Sequence, residues 1–600
     1  MLKPRLAAAS IGALIVMPTV AGADSSPVFF GDSLTDSGFY APLLPPGTGR
    51  FTTNPGPVWS ELFAEGIGTT AVPSNAGGSN FAAGGARVSR LPGIPPSPPT
   101  DAAPPLTTQV AAYLAGRGGQ ADGKALHFVW AGANDIFFIA ADAAAAPAYL
   151  RLTAAEAAAE IARLSAAGAR HIVVFNLPDI GATPFGTAQG PAGAAGLTAL
   201  SAAYNGLLFE SIAASGVSVI GLDTFALLNE VKTDPARYGF ANVTLPACGT
   251  TPSLLCTGAD FVVPGAEQTF LFADGVHPTT AGHRVIAQYV VGTLAAPRQI
   301  GLLPEVPVRN QIALARQLWR NAAHTLQATE VGRMHGWVSA GGGELEIRGH
   351  DATPSTVTIG GDRRLSERVA VGAALSYSES RLDWGRAGSF GLEDLALSAY
   401  GGYRVDALSL SASVSFSKLD FDTRRRVALG AATREHRGRV EGSRIAAGVE
   451  LAYAFEFGSL VHGPVASVLL QRVTVPSFDE RATDGSVSTS LAYGRQRRKS
   501  ALFSAGWQAQ FDAGKLTPYL RVMANHDAEA GGRSLRMTGP ASTSSYKLPT
   551  ASVPKSYASA NAGVAAQLAN GMRIALDVDT VIGKKALEDT RITAALQIPF

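Results

Sequence analysis

Through much of the carboxyl-terminal half of this chain, apolar residues recur at every second position. Leu408, Leu410, Ala412, Val414 and Phe416 alternate with Ser409, Ser411, Ser413, Ser415 and Ser417, and Val369, Val371, Ala373, Leu375 and Tyr377 alternate with small residues. An extended strand turns successive side chains to opposite faces. These segments therefore carry one apolar face and one small or polar face. That pattern suits a transmembrane antiparallel β-barrel, whose outside meets lipid and whose interior meets water. The chain ends on Ile592, Ala594, Leu596, Ile598 and Phe600 against Arg591, Thr593, Ala595 and Gln597, a last strand with a terminal aromatic. A soluble β-sandwich is the alternative. Shared among twelve strands, the roughly 265 residues from 336 onward allow about 22 for each strand and its connection, enough for spans of about 9 to 11 residues with turns and outer loops.

Six hundred residues exceed what one core supports, so at least two domains are expected. Charged residues make up 16% and glycine 66 of the 600, a sparse charge content that fits a secreted or outer-membrane chain. A net charge of +2, with no basic stretch interleaved with aromatics, argues against nucleic acid as a partner. Lys3 and Arg5 precede an apolar run from Leu6 to Val20 and then Ala21-Gly22-Ala23, the order of a secretory signal cleaved after Ala23. The alternative, an apolar anchor, would need a longer run. No later segment offers about twenty uninterrupted apolar residues, so an inner-membrane protein is not expected.

In the amino-terminal half, the apolar strand Val28 to Phe30 runs into Gly31-Asp32-Ser33-Leu34, which presents a serine where open α/β sheets place their sites, at the carboxyl end of a strand. A serine hydroxyl needs a base and donors for the oxyanion to act as a nucleophile. A second apolar strand from Leu126 ends in Gly132-Ala133-Asn134-Asp135, where Asn134 either donates to an oxyanion or caps the following helix. A helix from Thr153 to Ala167, the strand His171 to Phe175, a helix from about Ala192 to Ala214 and the strand Val217 to Leu222 follow. This alternation implies an α/β fold, a parallel sheet with helices on both faces. Asp274 and His277, three apart on one tight turn, allow the carboxylate to accept from one ring nitrogen while the other faces a serine. Cys248 and Cys256, separated by a Gly, Pro and Thr loop, suggest a structural disulfide in an exported chain; two thiols without a His cluster fall short of a metal site. Asp32 reads as structural, Asp36 and Asp135 as loop ties, and His127, His171 and His283 as surface or packing residues.

The four pieces around Ser33, Gly77 to Ala86, Asn134 and Asp274-His277, in this order, resemble the four blocks of the GDSL, or SGNH, hydrolases, and Asn176 to Pro184 is similar to the Asn-Leu-Pro segment of their long-chain branch. The resemblance implies Ser33 as nucleophile, His277 as general base and Asp274 as the group that orients it. It implies an oxyanion hole made by the backbone N–H groups of Ser33 and Gly85 and the side chain of Asn134, with Gly85 chosen because it lies five residues after Asn80. Acyl transfer through an acyl-enzyme follows, with no metal or organic cofactor, and with activity rising through roughly pH 6 to 7 as the imidazole becomes neutral.

Around Ala295 to Pro307 the pattern changes: Leu303, Pro304 and Pro307 punctuate a linker. Ile312, Ala315, Leu318, Trp319, Ala322 and Leu326 then fall on one side of a helix, with Arg309, Arg316 and Arg320 elsewhere on it. By itself this helix either closes the hydrolase domain or serves the barrel. The whole order, signal, passenger, linker helix and terminal barrel ending in Phe, is similar to the autotransporter esterases of Gram-negative bacteria, the EstA type. That likeness implies a helix threaded through the lumen of a twelve-stranded barrel, assembly by the barrel-assembly machinery, and a passenger held at the cell surface. The expected boundaries are 1–23 signal peptide, 24–300 passenger, 301–330 linker helix and 331–600 barrel. The expected activity is hydrolysis of carboxylic acyl esters at the outer membrane; the alternatives are a surface polysaccharide deacetylase and a non-catalytic adhesin.

Overall fold

The computed structural model describes residues 25–600 apart from 329, 543, 569–570 and 584–585, so the signal peptide expected at 1–23 lies outside the described residues. The chain forms two compact units, the first made of the residues up to Ala295 together with two short later segments, Ala428–Ala432 and Ala541–Ser544.

The first unit is built on a parallel sheet in the order β1 (Val28–Gly31), β2 (Leu126–Trp130), β3 (His171–Phe175) and β4 (Ile220–Leu222). Its strands are nearly continuous apolar runs, as expected where helices cover a parallel sheet. Phe29 stacks on Phe128 and Trp130 on Phe175 across neighbouring strands, and Trp59 packs against all four of these rings from the helix Trp59–Gly66. The helix expected from Thr153 begins earlier and spans Ala146–Ala166. Pro147 does not prevent this, because proline is tolerated in the first turn, where the backbone N–H has no helical acceptor. The strand expected from Val217 is confined to Ile220–Leu222, and the helices Leu106–Ala115 and Thr224–Thr233 were not anticipated.

In the second unit, twelve long antiparallel strands among the described residues close into a barrel: Met334–Ile347 pairs with the last strand, Leu587–Pro599, and Ala432–Tyr453 pairs with Leu460–Val475. The alternation sorts as the lipid–water argument requires. Val414 and Phe416 are 56% and 59% exposed on the outside, whereas Ser411, Ser413, Ser415 and Ser417 are buried against what fills the lumen. Short strands at Phe478–Asp479, Ala492–Tyr493, Ser534–Thr538 and Tyr546–Pro549 form a small extra sheet. It is braced by Glu480, whose carboxylate accepts from Arg425, the Tyr493 hydroxyl and the Leu491 N–H.

The helix Glu305–Ala328 occupies the lumen. Pro307, read from the sequence as punctuating the linker, lies in its first turn, where its missing N–H costs nothing. The apolar stripe read from the sequence divides between two walls of the barrel. Leu318 and Ala322, with Leu314, pack on Trp337, Ala374, Ala396 and Tyr400, while Trp319 donates its indole N–H to Ser413. The arginines face acids: Arg309 donates to Asp589 at 2.9 Å and to the Tyr557 hydroxyl at 2.7 Å, and Arg320 lies 3.7 Å from Asp577. Glu305 is held at 3.0 Å by Arg498 and at 2.8 Å by Arg533. These contacts place the helix as a filling of the barrel.

Candidate active site

At the end of β1 the backbone must pass very close to β2. A Cβ on Gly31 would stand 2.1 Å from the Trp130 carbonyl oxygen, so no other residue fits. Gln109 fastens this point from the helix Leu106–Ala115, its side chain accepting from the Gly31 N–H and donating to the Gly31 carbonyl, both at 2.8 Å. The chain then winds a turn in which Thr35 and Asp36 donate back to the Asp32 carbonyl. Ser33 stands at the start of that turn, its Oγ 2.8 Å from His277 Nε2.

On the other side of the imidazole, Nδ1 lies 2.9 and 2.8 Å from the two oxygens of Asp274. The turn from Phe272 to His277 has a reason for this shape. Asp274 Oδ1 accepts from the backbone N–H groups of Val276 and His277, both at 2.9 Å, so the carboxylate folds its own turn while it faces the ring. Burial pushes the Asp274 carboxyl up, but the His277 charge and hydrogen bonds from His277, Ser253 and Val276 outweigh it and hold the group below the usual carboxylate range. The Phe51 ring lies against the imidazole, 5.1 Å between centroids.

The glycine-rich stretch runs beside β1, with Phe81 and Ala83 donating to the carbonyls of Phe29 and Gly31. Gly84 N–H donates to Asp36 Oδ2 at 2.9 Å, and Gly85 follows at φ +80°, a left-handed conformation that glycine adopts without strain. Asn134 sits in the first turn of the helix Ala133–Ile139, where Gly132 is the N-cap, and its amide donates to the Ala86 carbonyl at 2.9 Å. Ser33, Asp274 and His277 are thus in direct hydrogen-bonding contact, and Gly85 and Asn134 meet at Ala86.

The remaining acids and histidines hold structure. Asp36 accepts from Gly38, Phe39 and Gly84. Asp135 accepts from the Val88 N–H and the Tyr149 hydroxyl and pairs with Arg87. His127 shares a hydrogen bond with Tyr113, and burial holds His283 down to about 3. Asn80 ties the glycine-rich stretch to the turn after β1, donating to the Thr35 carbonyl and Ser37 and accepting from the Ala82 N–H. The linear sequence gives Gln109 and Ser253 no motif, because both act on residues that the fold brings to them. Cys248 and Cys256 are joined by a disulfide.

Asp32 is buried, with one oxygen accepting from the Leu34 N–H, and burial pushes its carboxyl up to about 7 against the opposing effects of that bond and of His277. The folded chain therefore binds this proton more tightly than the unfolded chain does. The associated stability is fully present below about pH 4 and is lost as pH rises toward 7. Asp32→Asn keeps the acceptor for Leu34 and removes the titration. Melting of the full chain in detergent is expected to show the amino-terminal transition falling between pH 5 and 7 in the parent, by on the order of 2 kcal/mol, and falling less in the variant. Equal slopes would refute the assignment.

Comparison with known proteins matches residues 28–290 to the family model GDSL-like Lipase/Acylhydrolase and residues 336–579 to the Autotransporter beta-domain. The chain is 30% identical over 594 residues to Esterase EstA of Pseudomonas aeruginosa, covering 88% of each chain. It is 25% identical over 575 residues to Lipase 1 of Photorhabdus luminescens, covering 83% of this chain and 84% of that one. Among solved structures, the translocator domain of autotransporter NalP from Neisseria meningitidis is similar at a TM-score of 0.41 and 15% identity, over 51% of this chain and all of that one.

Proposed function

For a chain that belongs to the GDSL esterases carried on an autotransporter β-domain, we propose a Ser-His-Asp mechanism in which Ser33 is the nucleophile, His277 the general base and Asp274 its orienting carboxylate. Membership makes the protein an outer-membrane esterase whose passenger stands at the cell surface. The observation that carries the mechanistic reading is the unbroken line from Ser33 Oγ through the imidazole to Asp274, with 2.8 Å at the first contact and 2.8 Å at the second. Ser33 Oγ attacks the ester carbonyl as His277 Nε2 takes its proton. The same imidazole returns that proton to the departing alcohol, and water then cleaves the acyl-enzyme by the same route.

The oxyanion is held by the N–H groups of Ser33 and Gly85 and by Asn134. Gly84, whose N–H is committed to Asp36, is the poorer choice for that donor. Asn134 spends one amide hydrogen on the Ala86 carbonyl, which fixes the plane of the amide and leaves the second hydrogen for the oxyanion. Asn134→Ala is expected to lower kcat by about a hundredfold to a thousandfold with a smaller change in KM. Initial rates on a p-nitrophenyl ester measure this, and a change confined to KM would remove Asn134 from the oxyanion hole.

The substrates are acyl esters of short to medium chain. An apolar edge beside the catalytic turn supports them over a sugar. Phe185, 39% exposed, donates its N–H to the Gly275 carbonyl and packs edge-on against Phe137, three residues past Asn134. We assign residues 1–23 to the signal peptide, 24–300 to the passenger, 301–330 to the linker helix and 331–600 to a barrel that is inserted by the barrel-assembly machinery and anchors the passenger in outer-membrane lipid. Whole cells displaying the chain test the reading: hydrolysis of p-nitrophenyl butyrate is expected for the parent and not for Ser33→Ala, and equal rates would overturn it.

A further inference from the structure

We infer that Ser253, presented by the disulfide-closed loop Cys248 to Cys256, is a positioning residue for the catalytic pair, holding the Asp274 carboxylate and the His277 ring in register with Ser33. This rests on the reading of Ser33, His277 and Asp274 given above. Ser253 is fully buried and touches both members of the pair. Its backbone N–H donates to Asp274 Oδ2 at 3.0 Å, and its Oγ stands 3.1 Å from His277 Nδ1.

The backbone and the hydroxyl of Ser253 play separate parts there, one on the carboxylate and one on the ring. A carboxylate facing an imidazole can turn about its own axis and lose alignment when the ring becomes charged. Here Oδ1 is held by two backbone N–H groups from the catalytic turn, and Oδ2 is held from outside that turn by the Ser253 backbone N–H, which leaves the Ser253 hydroxyl to meet the ring at Nδ1. Donors on both oxygens fix the carboxylate plane. The Ser253 oxygen also gives the Nδ1 hydrogen a second acceptor, which keeps that hydrogen on Nδ1 and leaves Nε2 to take the proton of Ser33.

Ser253 is itself held firmly. Its carbonyl accepts from Asn54 Nδ2 at 2.7 Å, and Asn54 N–H donates to the Cys256 carbonyl at 3.0 Å. Gly49 N–H donates to the carbonyl of Leu254, whose side chain packs with Tyr40 and Phe51, and Phe51 is the ring that lies against His277. At its start the loop is fastened to the catalytic segment itself, Cys248 N–H donating to the Ala273 carbonyl at 2.9 Å, and the disulfide fixes its end. The loop thus forms the outer wall of the Asp274 site.

The test is Ser253→Ala in the full chain, read by the acylation burst with a p-nitrophenyl ester at saturating substrate. The burst rate constant does not depend on the fraction of molecules that fold. Acylation is expected to slow by about tenfold to a hundredfold, the range for a hydrogen bond to a charged group, with KM within about twofold and the melting transition retained. Should Ser253→Ala not accumulate, Ser253→Gly, which also lacks the hydroxyl, is read in the same way. A parental burst rate, or an effect in KM alone, overturns the inference. Ser33→Ala runs beside it: if that variant is inactive while Ser253→Ala is parental, only the role of Ser253 fails, and if Ser33→Ala keeps its burst, the catalytic reading fails with it.

Discussion

Ser33→Ala is expected to lower kcat/KM for p-nitrophenyl esters by on the order of a millionfold, the size of effect seen when the nucleophile of a serine hydrolase is removed. The size follows from the way the group acts. Ser33 Oγ and His277 Nε2 are 2.8 Å apart, and in the proposed mechanism the imidazole loses the oxygen it activates once that side chain is gone. What remains is the hydrolysis supported by oxyanion donors and binding alone. The fold should survive, because Ser33 lies in a turn whose closing hydrogen bonds run from Thr35 and Asp36 to the Asp32 carbonyl and do not use the Ser33 side chain. Rates on purified protein measure the loss, with melting as the control for folding. A loss smaller than about tenfold would remove Ser33 from the mechanism.

Asp274→Asn is expected to cost about ten-thousandfold in kcat. Both carboxylate oxygens are acceptors here: Oδ1 for Val276 and His277, and Oδ2 for Ser253. An asparagine can match this on one side only. With its oxygen toward Val276 and His277, its amino group opposes the Ser253 N–H; turned over, it opposes two backbone N–H groups in its own turn. In either pose an amide hydrogen can also face Nδ1 and favour the tautomer that cannot take a proton at Nε2. A drop in kcat with KM nearly unchanged is the expected result. A drop in KM-dependent binding alone would show that Asp274 shapes the pocket without serving the base.

The sequence carried the parts of this molecule that are governed by local rules. A strand running into Gly-Asp-Ser is a local arrangement, and so is an Asp three residues before a His, because the Asp274 carboxylate organises its own turn through the Val276 and His277 N–H groups. The alternation from Leu408 to Ser417 was legible for the same reason, since the period of two belongs to each strand and not to its partners. What escaped was set by contacts between distant positions. Gln109 holds Gly31 across 78 residues, and Ser253 reaches a carboxylate 21 residues on through a loop that only the folded chain places there. The lumenal course of the helix Glu305–Ala328 could not be separated from a course on the hydrolase by its apolar stripe alone. Its arginines decide the matter, because Arg309 and Arg320 meet acids on strands that are more than 200 residues away. Pro307 misled because proline marks a break only after the first helical turn.

Labelling with a fluorophosphonate followed by peptide mass spectrometry reads the pairing of Ser33 with His277 without reliance on any chosen ester. A single adduct is expected on the peptide that contains Ser33, formed on intact cells by a charged, membrane-impermeant fluorophosphonate and therefore at the surface, and absent from His277→Ala under the same conditions. An adduct on another serine, or undiminished labelling of Ser33 without His277, would contradict the mechanism.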